Sequence, residues 1–152
     1  MATVYTADNY TVPMPSFPGA GIPMIREFAY TLTAAFVIND TIKLCKIPGA
    51  GTPLVIDHFY VDVPDLDTST GFVCDLGDDD TAAKFVAAST VGQAVGKLSP
   101  AVNGVAGAVP VSYTAAKNLI FKVNTAATGT AATTGVIKGH MTYHYIGAPT
   151  PV

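Results

Sequence analysis

Phe28-Ala29-Tyr30-Thr31-Leu32-Thr33-Ala34-Ala35-Phe36-Val37-Ile38, then Thr41-Ile42-Lys43-Leu44-Cys45-Lys46-Ile47, then Pro53-Leu54-Val55-Ile56-Asp57-His58-Phe59-Tyr60-Val61-Asp62-Val63, is the stretch that decides the fold. Apolar side chains recur every second residue, the period of a strand with one face buried. Asn39-Asp40 predicts a turn between the first two runs, and Pro48-Gly49-Ala50-Gly51 breaks the second. In the third run the apolar phase shifts between Ile56 and Phe59, which predicts a β-bulge near Asp57. A segment of this kind builds surfaces and carries few reactive groups.

The rest of the chain extends the same reading. After a loop at Asp65–Thr70, Gly71–Leu76 reads as a short strand that ends in a Gly77–Asp80 turn. Thr81–Ala88 predicts one or two helical turns, and Gly92–Ala108, rich in Gly and Ala without a period, predicts a long loop. Strand patterns resume at Val109–Thr114 and Leu119–Val123. Thr125–Gly135 is a Thr/Ala/Gly tip, and Gly135–Ile146 closes the fold with Ile137, Met141, Tyr143 and Tyr145 on one face. Residues 1–25 contain Pro13, Pro15, Pro18 and Pro23, which forbid a helix and predict an extended N-terminal arm with apolar anchors such as Phe17, Ile22 and Met24. The expected organisation is that arm, a β-sandwich domain over residues 26–147, and an extended tail over residues 148–152. The expected class is all-β: a two-sheet antiparallel β-sandwich of jelly-roll type.

Composition narrows the function. The 152 residues suffice for a single core. Only 12% are charged, about half the usual share of roughly 25%, so much of the surface is Thr, Ala, Gly and Ser. A surface so poor in like-charge repulsion suits a protein packed against copies of itself. With a net charge of −3 and eight scattered basic residues, nucleic acid is not an expected partner. Mean hydropathy is +0.39, yet no apolar run approaches the roughly 20 residues that span a bilayer, so no membrane partner is expected either. Without a secretory pattern at the N-terminus, synthesis and residence in the cytoplasm are expected, with Cys45 and Cys74 as free thiols.

Chemistry is sparse. His140 and His144 lie four apart, a chelating interval on a helix but about 13 Å on a strand. His58 has no Gly-x-Ser-x-Gly partner motif, so a hydrolytic triad is unsupported. Asp75, Asp78, Asp79 and Asp80, with Asp65 and Asp67 nearby in sequence, lack the order of a calcium-binding loop and read as turn-forming carboxylates. Gly49, Gly51, Gly104 and Gly107 do not sit where a phosphate-binding loop needs them. No catalytic, cofactor or metal residue is expected, and no enzyme. A carbohydrate-binding sandwich is a further class to weigh; with no Trp present, Tyr60, Tyr143 and Tyr145 are its remaining aromatic candidates.

The run Tyr30–Leu44 with Lys46-Ile47-Pro48, and the later Asp65-Leu66-Asp67, Cys74-Asp75-Leu76-Gly77-Asp78, Lys84-Phe85-Val86 and Ser89-Thr90-Val91-Gly92-Gln93, resemble the small head decoration or cement proteins of tailed bacteriophages. The resemblance covers roughly Phe28–Ala94. It implies a virion structural protein on the capsid exterior, added as homotrimers that bridge major capsid protein subunits. A head-fibre or tail adaptor of the same fold is the alternative role.

Overall fold

A computed structural model describes residues 1–10, 21–48, 53–100, 105 and 109–147. Ten strands are present among them: β1 (Val4–Thr6), β2 (Met24–Thr31), β3 (Thr41–Ile47), β4 (Leu54–Val63), β5 (Val73–Asp78), β6 (Val86–Ser89), β7 (Gly96–Leu98), β8 (Val111–Tyr113), β9 (Lys117–Thr125) and β10 (Val136–Tyr145). They form two sheets. The first has the order β1-β3-β9-β5-β6; the second has the order β2-β10-β4-β7, with β8 also paired to β4. All pairs are antiparallel except β1 with β3.

The alternating residues of the decisive stretch supply the interior. Ile42 and Leu44 of β3, Phe59 and Val61 of β4, Leu76 of β5, Phe121 of β9 and Ile137 and Met141 of β10 are all fully buried. The bulge falls where the phase shift predicts it: His58 pairs with Thr142 and Ile56 with Tyr143, so Asp57 is the extra residue of β4. By inserting one residue, the strand keeps Leu54 and Ile56 inward on one side of the break and Phe59, Val61 and Val63 inward on the other.

Several expectations need correction. The first long strand begins at Met24, inside the predicted arm, and ends at Thr31 although the apolar alternation continues to Ile38. Leu32 and Phe36 are nonetheless buried, Phe36 against Tyr5 and Tyr30, because the Asp40 carboxylate accepts the Val37 and Thr3 amides and folds this segment back over the interior. Thr81–Ala88 contains no helix. Asp78 captures the Asp80 and Thr81 amides, a side-chain competitor to helical bonding, and β6 follows at once. Within β6, Ala88 has φ 49°, and its amide donates to Asp75. The strand predicted at Gly71–Leu76 runs Val73–Asp78, and β7 lies within the expected long loop because Leu98 is drawn into the core beside Val61.

The first ten residues lie on the chain's own sheets. After β1 pairs with β3, Ala7 donates to Lys43 and Asp8 to Ala29, so the chain crosses from the edge of one sheet to the edge of the other. Asn9 then bonds the Glu27 carbonyl and accepts from the Ala29 amide. Residues 11–20 of the predicted arm, the tail at 148–152, and Gly49, Gly51, Gly104 and Gly107 lie outside the described residues.

The strand registers place the β2–β3, β4–β5, β6–β7 and β9–β10 connections at one end of the sheets. On the second sheet, β10 and β4 approach so closely at Gly139 that a Cβ there would lie 1.9 Å from the Tyr60 carbonyl oxygen. A backbone atom cannot swing aside as a side-chain tip can. Gly139→Ala is therefore expected to cost about 1–3 kcal/mol, a melting point lower by several degrees, measured by thermal denaturation.

Candidate functional site

Of the aspartates predicted to shape turns, Asp65, Asp67 and Asp78 accept nearby turn amides, whereas Asp75, Asp79 and Asp80 bond to residues of β6 and β9. Asp67 lies at the loop end and is buried. Its Oδ1 accepts from the Ser69 and Gly129 amides and its Oδ2 from the Gly71, Phe72 and Thr128 amides, at 2.9–3.1 Å. The carboxylate thus holds the β4–β5 loop against the β9–β10 tip, an attachment completed by the Asp67–Ala131 bridge. Burial alone would raise its pKa, but the Thr128, Gly129, Ser69 and Gly71 amides stabilise the charged form and leave it well below the usual carboxylate range.

Asp78 works at the opposite end. Its Oδ1 accepts the Asp80 and Thr81 amides, and its Oδ2 accepts from Lys84 Nζ at 2.6 Å and Tyr113 Oη at 2.7 Å. Tyr113 belongs to β8 on the second sheet, so this buried carboxylate of β5 links the two layers. Burial opposes its ionisation, yet Lys84, Tyr113 and the Thr81 amide lower its pKa overall; burial and the neighbouring Asp78 charge raise that of the Tyr113 phenol. Asp79 accepts from Asn118, Asp80 pairs with Lys117, and Asp65 accepts the Asp67 amide. Among the described residues, no three His, Cys, Asp or Glu side chains come together as a metal-holding group.

The histidines have different partners. His144 Nδ1 lies 2.8 Å from the Asp57 carboxylate, tying β10 to the bulge residue of β4. His140 pairs across the sheet with Tyr60, their rings stacked at 22° with centroids 5.6 Å apart. His58 stands half-buried beside the bulge. Cys45 and Cys74 are free, buried on strands separated by β9, and burial pushes each thiol up to about 12. Such thiols are poor nucleophiles.

Of the three tyrosines weighed for a carbohydrate surface, Tyr143 and Tyr145 are buried and Tyr60 faces outward. Tyr60 borders an open cleft of about 340 Å³ over β2, β10 and β4, which sequence reasoning did not find. The floor is low because Ala29 is the outward residue between Glu27 and Thr31, and Lys138 and Asp62 continue its row across β10 and β4. Only the sheet registers bring these positions together.

No protein-family model matches the chain, and no curated protein matches its sequence. Two solved structures do. A chain in the structure titled "Capsid of Ralstonia phage GP4" superposes with a TM-score of 0.75 at 25% identity, over 95% of this chain and 99% of that one. A chain of the "Cyanophage Pam1 capsid asymmetric unit" gives a TM-score of 0.63 at 20% identity over 90% and 93%, a likeness of fold. The first likeness supports a phage capsid-related virion protein, and the second agrees with it in fold.

Two predictions follow from the carboxylates. A lowered folded-state pKa makes Asp67 contribute stability above the unfolded value near 4, and that contribution is lost as pH falls further. The melting temperature is expected to decline below about pH 4 in the parent and less steeply in Asp67→Asn; equal slopes in acid melts of the two proteins would contradict this assignment. Asp78→Ala strands the buried Tyr113 hydroxyl and is expected to cost about 1–3 kcal/mol, whereas chelator leaves the parent melt unchanged. A melt lowered by chelator and restored by Ca²⁺ would instead reveal a bound ion.

Proposed function

We propose that this chain is a phage head decoration or cement protein, a non-enzymatic component that binds the capsid exterior as homotrimers and reinforces contacts between major capsid protein subunits. The observation that carries the reading is the end-to-end match, 95% of this chain and 99% of the other, with a chain seen in a phage capsid. A match over nearly the full length of both chains argues for a shared unit, where a local match would argue only for a shared motif. Several features of the chain agree with it. The 12% charged composition leaves a neutral, cohesive exterior. Asp57, Asp67, Asp75 and Asp78 are engaged in loop, strand and sheet-to-sheet links.

The same reading takes the two sheets as a jelly roll. Supporting this, the orders β2-β10-β4-β7 and β3-β9-β5-β6 set the first core strand beside the last in one sheet and the second beside the next-to-last in the other, with four connections at one end. Rigid loops of this kind suit a clamp whose strength comes from many copies, each contact modest and the array strong through multivalency. The test is a mass measurement and a binding assay. Light scattering is expected to give three chain masses of 15.6 kDa each, and the protein is expected to sediment with purified empty heads. A protein that stays monomeric at micromolar concentration and remains in the supernatant with heads would sink the proposal.

A further inference from the structure

The outward face of the second sheet carries an open cleft. The cleft is floored by Ala29 and bordered by Glu27, Lys138, Asp62, Tyr60 and His140. The registers fix this arrangement: Ala29, Lys138, Asp62 and Lys97 form one row across four strands, and Glu27, His140 and Tyr60 form the next. Glu27, Asp62 and Lys138 enter none of the ion pairs found among the described residues. In the lining two carboxylates face the single Lys138 ammonium, with Lys97 beyond Asp62 at the end of the row, so acceptors and donors lie side by side and an anion is disfavoured.

Aromatic contact comes from a two-ring wall. Tyr60 and His140 stack, and Lys97 Nζ sits 4.8 Å from the centroid of the Tyr60 ring, so the phenol is held from both neighbouring strands before any ligand arrives. A ring already fixed loses little freedom on binding. The cleft volume, about 340 Å³, lies at the lower end of the range for small-molecule sites.

We propose that this cleft binds a neutral saccharide unit. Sugar hydroxyls donate and accept at once, which matches adjacent carboxylates and an ammonium, and the C–H groups of a pyranose fit beside the edges of the Tyr60–His140 pair. An anionic sugar would meet Glu27 and Asp62, and an aliphatic ligand would leave both carboxylates and Lys138 desolvated without partners.

The experiment titrates glucose, galactose, N-acetylglucosamine and maltose, with glucuronate as the charged control, into isotopically labelled protein while amide shifts are followed. Saturable millimolar shifts are expected at Ala29, Tyr60, Lys138 and His140 with at least one neutral sugar and not with glucuronate. Ala29→Leu fills the floor while sparing every polar group, and it is expected to weaken binding at least about tenfold with an unchanged melt. Thr142→Ala, on the same face outside the cleft, is expected to bind as the parent does. The proposal fails if no neutral sugar gives a saturable shift with the fold intact, if glucuronate binds as well, or if Ala29→Leu leaves binding untouched. None of these outcomes bears on trimer mass or head binding.

Discussion

Each sheet offers one apolar face, and neither face is stable in water until the other covers it. That mutual burial governs the remainder of the structure. It demands that strands alternate inward and outward residues without slipping, since a shift of one residue would turn Phe59, Val61 and Val63 toward solvent. The bulge at Asp57 meets this demand within β4 itself, and His144 bonds the carboxylate of the extra residue. Once both sheets are closed, the ends remain exposed to fraying. Asp67 and Asp78 hold them, one tying two loops together and the other joining the layers through Tyr113.

These two carboxylates differ from surface charges in the way they stabilise. Each is buried and surrounded by donors, so the cost of leaving water is offset by hydrogen bonds to the ionised form. The loops they organise are held by backbone amides converging on one side chain. This fits a chain with no cystine among its described residues and few charges in total.

Much of the fold was legible from periodicity. The strands at Thr41–Ile47 and Leu54–Val63, the bulge, the inward face of β10 and the Asn39 turn all follow from local pattern, because burial on one face leaves its period in the sequence. The same signal failed where apolar residues are buried for another reason. Leu32 and Phe36 continue the alternation of β2 but pack from a loop, and no rule of period separates the two cases. Strands of three or four residues, β1, β6 and β7, are too short to show a period, and the pairing of β1 with β3 depends on chain far away. The site was legible in part. Aspartates in turns are predictable, whereas the amides of Thr128 and Gly129 that single out Asp67 lie some sixty residues away. The cleft was invisible because it is made of rows that cross strands, with Ala29 notable only for being small beside its neighbours.

The left-handed residue in β6 shapes the edge of its sheet. β6 is the outermost strand of its sheet, the place where an unpaired row of amides and carbonyls would recruit a strand from another molecule. At Ala88 the backbone turns to φ 49°, and the amide is spent on Asp75. The row is interrupted at its centre, so a foreign strand finds no regular ladder to extend. A kinked edge of this kind works against pairing with a strand of another molecule.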